Sequence, residues 1–153
     1  LLWHEPLEKE AAMRQLLSAC CRDNKQVSEQ EAWQALIQRE QQGSTFLGED
    51  VALPHARLAG LQAAVVGVGV AQQGVREPST GRSVRVIFLL LSPMAPPEVH
   101  VRLLSRISKI AQLSLLRQQL VKARTAEEAT RLLEEQTAAL ERQAAAPAAQ
   151  NPA

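Results

Sequence analysis

The sequence predicts an α/β sandwich in a single domain, a central mixed β-sheet flanked by helices. Apolar residues recur three and four apart near both ends of the chain, the spacing of one helix face. Between those ends lie short segments rich in branched apolar residues, as strands require. The order helix, helix, strands, helix, helix places a sheet in the middle of the fold. With 153 residues the chain suits one core that buries roughly 70 % of its unfolded surface. Aromatics are only 3 % of the composition, so that core is built from Leu, Val, Ile and Ala.

From Leu7 to Cys21 the positions Ala12, Met13, Leu16, Leu17 and Cys20 form the buried stripe of a first helix. Ser28 followed by Glu31 is a capping box, in which each side chain reaches a spare amide of the other residue. Ala32, Trp33, Leu36 and Ile37 then face inward on a second helix, and Gly43 ends it through a backbone that only glycine adopts cheaply. Val51-Ala52-Leu53-Pro54 is short, apolar and stopped by proline, as in an edge strand that ends where His55 is presented. Ala63 to Val70 and Val84 to Leu91 read as further strands; the second becomes wholly apolar through Ile87-Phe88-Leu89-Leu90-Leu91, the mark of a strand covered on both faces.

Pro96-Pro97-Glu98 opens a third helix, with proline where an amide is spare and an acid near the positive end of the dipole. Its stripe is Leu103, Leu104, Ile107 and Ala111. A fourth helix starts at Thr125 with Glu128 completing a second capping box, and Ala129, Leu132, Leu133 and Leu140 face inward. The domain is thus expected over residues 1–142, and the Ala, Pro and Gln tail of residues 143–153 is expected to be disordered because it offers nothing to bury.

Several function classes are disfavoured at once. A net charge of +1 provides no field for nucleic acid or an anionic membrane. No run approaches the roughly 18 apolar residues of a membrane span, since Gln62, Gly67 and Gly69 interrupt the longest candidate. Residues 1–6 lack the basic start and apolar stretch of a signal peptide. Cys20 and Cys21 are adjacent on a helix, where side chains diverge, so a reduced cytoplasmic setting is expected. Gly67-Val68-Gly69 lacks the third glycine of a dinucleotide loop, and Ser44 with Asp50 and His55 lacks the strained turn of a hydrolase nucleophile.

What remains is His55. Leu53-Pro54-His55-Ala56-Arg57 holds an imidazole rigidly at the end of a strand, and neutral imidazole, abundant near pH 7, is a competent nucleophile. His100 sits in the first turn of the third helix in line with Leu103, Leu104 and Ile107, so its ring points toward the protein body. Phosphoryl transfer asks chiefly for positioning and for donors to three equatorial oxygens; Arg39, Ser44, Thr45 and loop amides supply such donors, and no metal or organic cofactor is required.

The stretch from Arg39-Glu40 through Gly43-Ser44-Thr45 and Gly48 to Ala52-Leu53-Pro54-His55 resembles the active-site signature of fructose/mannitol-type enzyme IIA of the sugar phosphotransferase system, including the nitrogen-regulatory branch. Val84 to Pro93 with His100 at a helix start resembles that family's second histidine segment, and the likeness extends over residues 1–135. It implies that His55 accepts a phosphoryl group from the histidine-containing phosphocarrier protein and passes it to a IIB domain. It further implies that Arg39, Glu49 and His100 line the site and that Ser44 and Thr45 occupy the neighbouring loop; the first strand departs from the family in being cut to about Leu1–Trp3. Ala56 stands where the family often has Gly, and Val101 where Leu is usual; neither change removes a functional group.

Other readings stand beside these. His100 also suits a half-buried helix-start residue, Arg39 a partner for its helix dipole, and Glu49 a solvated loop acid. The rival function is a regulatory module, attached to a transporter or acting on a target protein in the cytosol, that controls a partner through its phosphorylation state or pocket occupancy.

Overall fold

The computed structural model describes residues 1–48 and 50–145. In chain order the elements are β1 (Leu2–Trp3), β2 (Leu7–Glu8), α1 (Lys9–Asp23), α2 (Glu29–Gln41), β3 (Val51–Ala52), β4 (His55–Leu58), β5 (Val65–Arg76), β6 (Ser83–Pro93), α3 (Pro97–Ala111), α4 (Ser114–Lys122) and α5 (Ala126–Ala145).

The sheet is built on β5 and β6, an antiparallel pair with a register shift between Val70 and Val75. β1 and β2 both run parallel to β5 and share one edge; β3 and β4 both run parallel to β6 and share the other. The sheet is therefore mixed, as expected. β6 alternates between two cores: Ile87, Leu89 and Leu91 face the layer of α1 and α2, while Val86, Phe88 and Leu90 face that of α3, α4 and α5. Ile87, Leu89, Leu90 and Leu91 are wholly buried, each stabilising the fold by about 2 kcal/mol through removal of apolar surface from water.

Both capping residues act as expected: Ser28 Oγ accepts from the Glu31 amide at 3.3 Å, and Thr125 Oγ1 from the Glu128 amide at 3.1 Å. Gly43, with φ of 146°, follows α2 where the chain must leave the helix. Gly67 and Gly69 lie within β5, and a Cβ on Gly69 would meet the Trp3 ring at 2.4 Å, so the bare backbone there admits the tryptophan.

Three expectations shift. The strand before His55 ends at Ala52 rather than Pro54, and pairing resumes as β4, so that His55 stands opposite Leu90 as the first residue of an edge strand. Proline interrupts the ladder because it has no amide hydrogen, yet its carbonyl still accepts from Leu90 N at 3.0 Å. An additional helix, α4, lies between the two expected near the C-terminal end of the chain, burying Leu116 and Leu120. Finally, α5 carries Gln143, Ala144 and Ala145, so helix extends three residues into the expected tail, whose residues 146–153 lie outside the described residues. No helix among the described residues is long and apolar enough to cross a membrane, and both cysteines are free.

Candidate active site

β4 delivers His55 from the sheet edge, α2 delivers Arg39 from its last turn, and α3 delivers His100 from its first turn. The two imidazoles lie 5.4 Å apart between centroids, tilted by 47°. They line a solvent-open cleft of about 540 Å³ together with Arg39, Arg57, Met94 and Val101. None of the described lining residues is acidic.

Two hydrogen bonds decide the state of the His55 ring. Nδ1 lies 2.8 Å from the Leu53 carbonyl, which can only accept, so Nδ1 carries the proton. Nε2 receives the Arg39 Nε–H at 3.0 Å, which only a lone pair can accept. The ring is therefore neutral, with its nucleophilic lone pair on Nε2, facing the cleft's cationic side chain. Burial is the main influence lowering the His55 pKa below 6.5, and the Arg39 charge acts in the same sense against the raising effect of the Leu53 carbonyl. His100 is lowered too, first by burial and then by the neighbouring His55, Arg57 and Arg39. Ser92, wholly buried, stands 2.6 Å from His100 Nδ1 and fixes that ring's orientation.

Arg39 also donates from Nη1 to the Gly43 carbonyl at 3.0 Å. It thus serves its own helix end and the ring together, and the two readings of this residue are not exclusive.

Of the residues expected from sequence, Arg39, His55 and His100 are brought together. Ser44 and Thr45 do not line the cleft: the Ser44 hydroxyl donates to Glu77 at 2.7 Å and the Thr45 hydroxyl to Glu40, with Thr45 buried. Their expected place among the phosphoryl donors passes to a structural one, because each hydroxyl is already spent on a carboxylate. Glu49 lies outside the described residues. Arg57 was missed, although strand alternation puts it on the same face as His55; its Nη1 donates to the Met94 carbonyl at 3.4 Å and its charge remains at the cleft. Among the described residues no group of three or more His, Cys, Asp or Glu is placed to hold a metal ion.

An imidazole lone pair held by one guanidinium, in a cleft lined by a second guanidinium and a second imidazole, can attack phosphorus once that hydrogen bond is released, and the cleft can hold an anionic group. Comparison with known proteins points the same way. The family described as "Phosphoenolpyruvate-dependent sugar phosphotransferase system, EIIA 2" matches residues 4–136. A nitrogen regulatory protein of Pseudomonas aeruginosa is 32 % identical over 120 residues, covering 78 % of this chain and 78 % of that protein. The fructose-specific EIIABC component of Bacillus subtilis is 27 % identical over 124 residues, which are 80 % of this chain but only 20 % of that longer protein. The crystal structure of nitrogen regulatory protein IIA-Ntr from Neisseria meningitidis superposes with a TM-score of 0.72 at 29 % identity, covering 86 % of this chain and 91 % of that one.

Proposed function

The chain belongs to the EIIA 2 family of the phosphoenolpyruvate-dependent sugar phosphotransferase system, and from that premise we propose that it is a cytoplasmic phosphocarrier domain whose acceptor atom is His55 Nε2. The single observation that carries this reading is the pair of hydrogen bonds that leaves the Nε2 lone pair facing the cleft. The donor is the phosphorylated histidine-containing phosphocarrier protein, and the recipient is a IIB domain.

In the forward step the Nε2 lone pair forms the new N–P bond while the donor's N–P bond breaks, its electron pair returning to the donor imidazole. Arg39 first turns its Nε–H from the lone pair to the incoming phosphoryl oxygens, a short displacement for a side chain already in contact. Arg57 adds the second positive charge from the same face of β4. With its Ser92 partner donating to Nδ1, His100 bears its proton on Nε2 and offers it to a phosphoryl oxygen. His55 keeps its Nδ1 proton throughout. The phosphorylated ring is then an imidazolium, whose charge the Leu53 carbonyl offsets and which leaves readily when a second nucleophile attacks phosphorus. No metal or organic cofactor enters these steps.

A second reading is favoured by one observation: the Pseudomonas relative named as a nitrogen regulatory protein matches over most of its length. In that reading the phosphorylation state of His55 controls a partner protein rather than feeding sugar uptake. The test of the proposal is transfer from phosphoenolpyruvate through the two general proteins of the system, followed by intact mass. An acid-labile gain of one phosphoryl group that disappears in His55→Ala supports the carrier chemistry; an unlabelled wild type with active donors overturns it. Onward loss of the label to a IIB domain favours transport, and a stable label with state-dependent capture of another protein favours regulation.

A further inference from the structure

We propose that the cluster of half-buried Lys9 and Glu40 with buried Glu77 is a positioning device for the nucleophile, acting through Thr45 and the Leu53 backbone to hold His55 with its proton on Nδ1. The inference rests on the reading of His55 Nε2 as the phosphoryl acceptor.

Lys9, the first residue of α1, lies between two carboxylates from distant parts of the chain: Glu40 at the end of α2, 2.6 Å away, and Glu77 just after β5, at shorter range. Its ammonium also stands 4.9 Å from the Phe46 ring centroid. Glu77 is 3 % exposed, a depth at which a carboxylate is retained only with partners, and it has three: Lys9, Ser44 and Thr80. Glu40 receives the hydroxyl of Thr45, and the Thr45 amide lies 3.4 Å from it. The segment Ser44-Thr45-Phe46 is thereby held at both hydroxyls by one ionic cluster.

That segment is joined directly to the nucleophile. The Thr45 carbonyl accepts the Leu53 amide at 2.9 Å, Phe46 pairs antiparallel with Ala52, and the Leu53 carbonyl accepts Nδ1–H of His55 at 2.8 Å. The path from Lys9 to the ring runs through an ion pair to Glu40, the Thr45 hydroxyl, the bodies of residues Thr45 and Leu53, and the hydrogen bonds at their backbone groups. Its significance is chemical. Free neutral histidine in water prefers its proton on Nε2, which removes the lone pair from that atom; the fold reverses this preference with the Leu53 carbonyl aimed at Nδ1 and the Arg39 Nε–H aimed at Nε2, and once Arg39 turns to the incoming phosphoryl group the Leu53 carbonyl holds the tautomer alone. A carbonyl allowed to drift releases the ring to the unreactive tautomer without changing the fold or the donor-binding surface.

The test uses the whole chain, labelled with ¹⁵N at histidine, as wild type, Thr45→Val, Thr45→Ser and Glu77→Gln. Thr45→Val removes only the hydroxyl donated to Glu40 and leaves both ion pairs in place, so it decides the matter even if Glu77→Gln fails to fold. Above the His55 titration, the wild-type ring shows an N–H-type shift at Nδ1 and a lone-pair shift at Nε2. In Thr45→Val and in folded Glu77→Gln the two shifts converge as the tautomers mix; kcat for phosphorylation falls by about tenfold while KM for the phosphorylated donor holds within about twofold, and Thr45→Ser restores the wild-type values. Unchanged ring shifts in folded Thr45→Val overturn the proposal, as does a loss expressed in KM alone. The ring shifts need no phosphoryl donor, so a wild type that fails to be phosphorylated defeats the carrier reading while the shifts still judge the positioning.

Discussion

Replacing Glu77 by Gln tests whether charge, rather than shape, holds the loop beneath the active site. Burial works to raise the Glu77 pKa, but hydrogen bonds from Lys9, Thr80 and Ser44 outweigh it and hold the group from 4.5 down to about 2. A carboxyl of lower pKa in the folded chain binds its proton less readily than in the unfolded chain, so its stabilisation is complete above about pH 4.5 and is lost as pH falls toward about 2. The shift corresponds to about 3 kcal/mol at neutral pH, of which about half survives at pH 3. Gln at this position still accepts from Ser44 and Thr80 but no longer attracts Lys9. Glu77→Gln is therefore expected to be less stable than wild type at pH 7 by at most about 3 kcal/mol, a loss that a domain of about 5–15 kcal/mol survives. Urea unfolding followed by circular dichroism at pH 7 and pH 3 reads both numbers. The gap should narrow by about half on acidification. A gap of the same size at both pH values would show that the variant loses packing and not charge, and would refute the electrostatic argument for the cluster.

Three further outcomes follow from the geometry. Because the His55 pKa lies below 6.5, its phosphorylation rate should fall to half of its high-pH plateau only at a pH below 6.5, read by single-turnover mass analysis; a half-point at or above pH 6.5 contradicts the lowered pKa. Ser92→Ala deprives the His100 ring of its buried partner and should slow labelling by about tenfold at a cost of about 1 kcal/mol in stability, read by the same assay and by thermal unfolding. Gly69→Ala puts a methyl 2.4 Å from the Trp3 ring and should destabilise by about 2 kcal/mol with a changed tryptophan emission; unaltered emission would mean that the ring does not pack there.

Much of this fold is legible in the sequence because its signals are local. Ser28 with Glu31 and Thr125 with Glu128 mark helix starts within four residues, and the unbroken apolar run of β6 announces a strand with helices on both faces. α4 escapes because only Leu116 and Leu120 are buried in its nine residues, and its N-cap, Leu113, lacks a capping side chain. At the site, His55, Arg39 and His100 come from a contiguous signature and a helix start, and they do meet. The true partner of Ser44 was illegible for the opposite reason: Glu77 lies 33 residues beyond Ser44, and Lys9 reaches Glu77 across 68. Such ion pairs depend on how β5 returns beside α1, which no local pattern encodes. Arg57 was within reach, since every second residue of a strand shares a face.

The central claim is that the lone pair on His55 Nε2 takes the phosphoryl group, and the most direct measurement is the position of the N–P bond. Phosphorylated protein with ¹⁵N-labelled histidine, read by ³¹P and ¹⁵N resonance, should show coupling between phosphorus and Nε2 of His55 and an Nδ1 that still bears its proton. Coupling to Nδ1, or to any residue other than His55, would contradict the account.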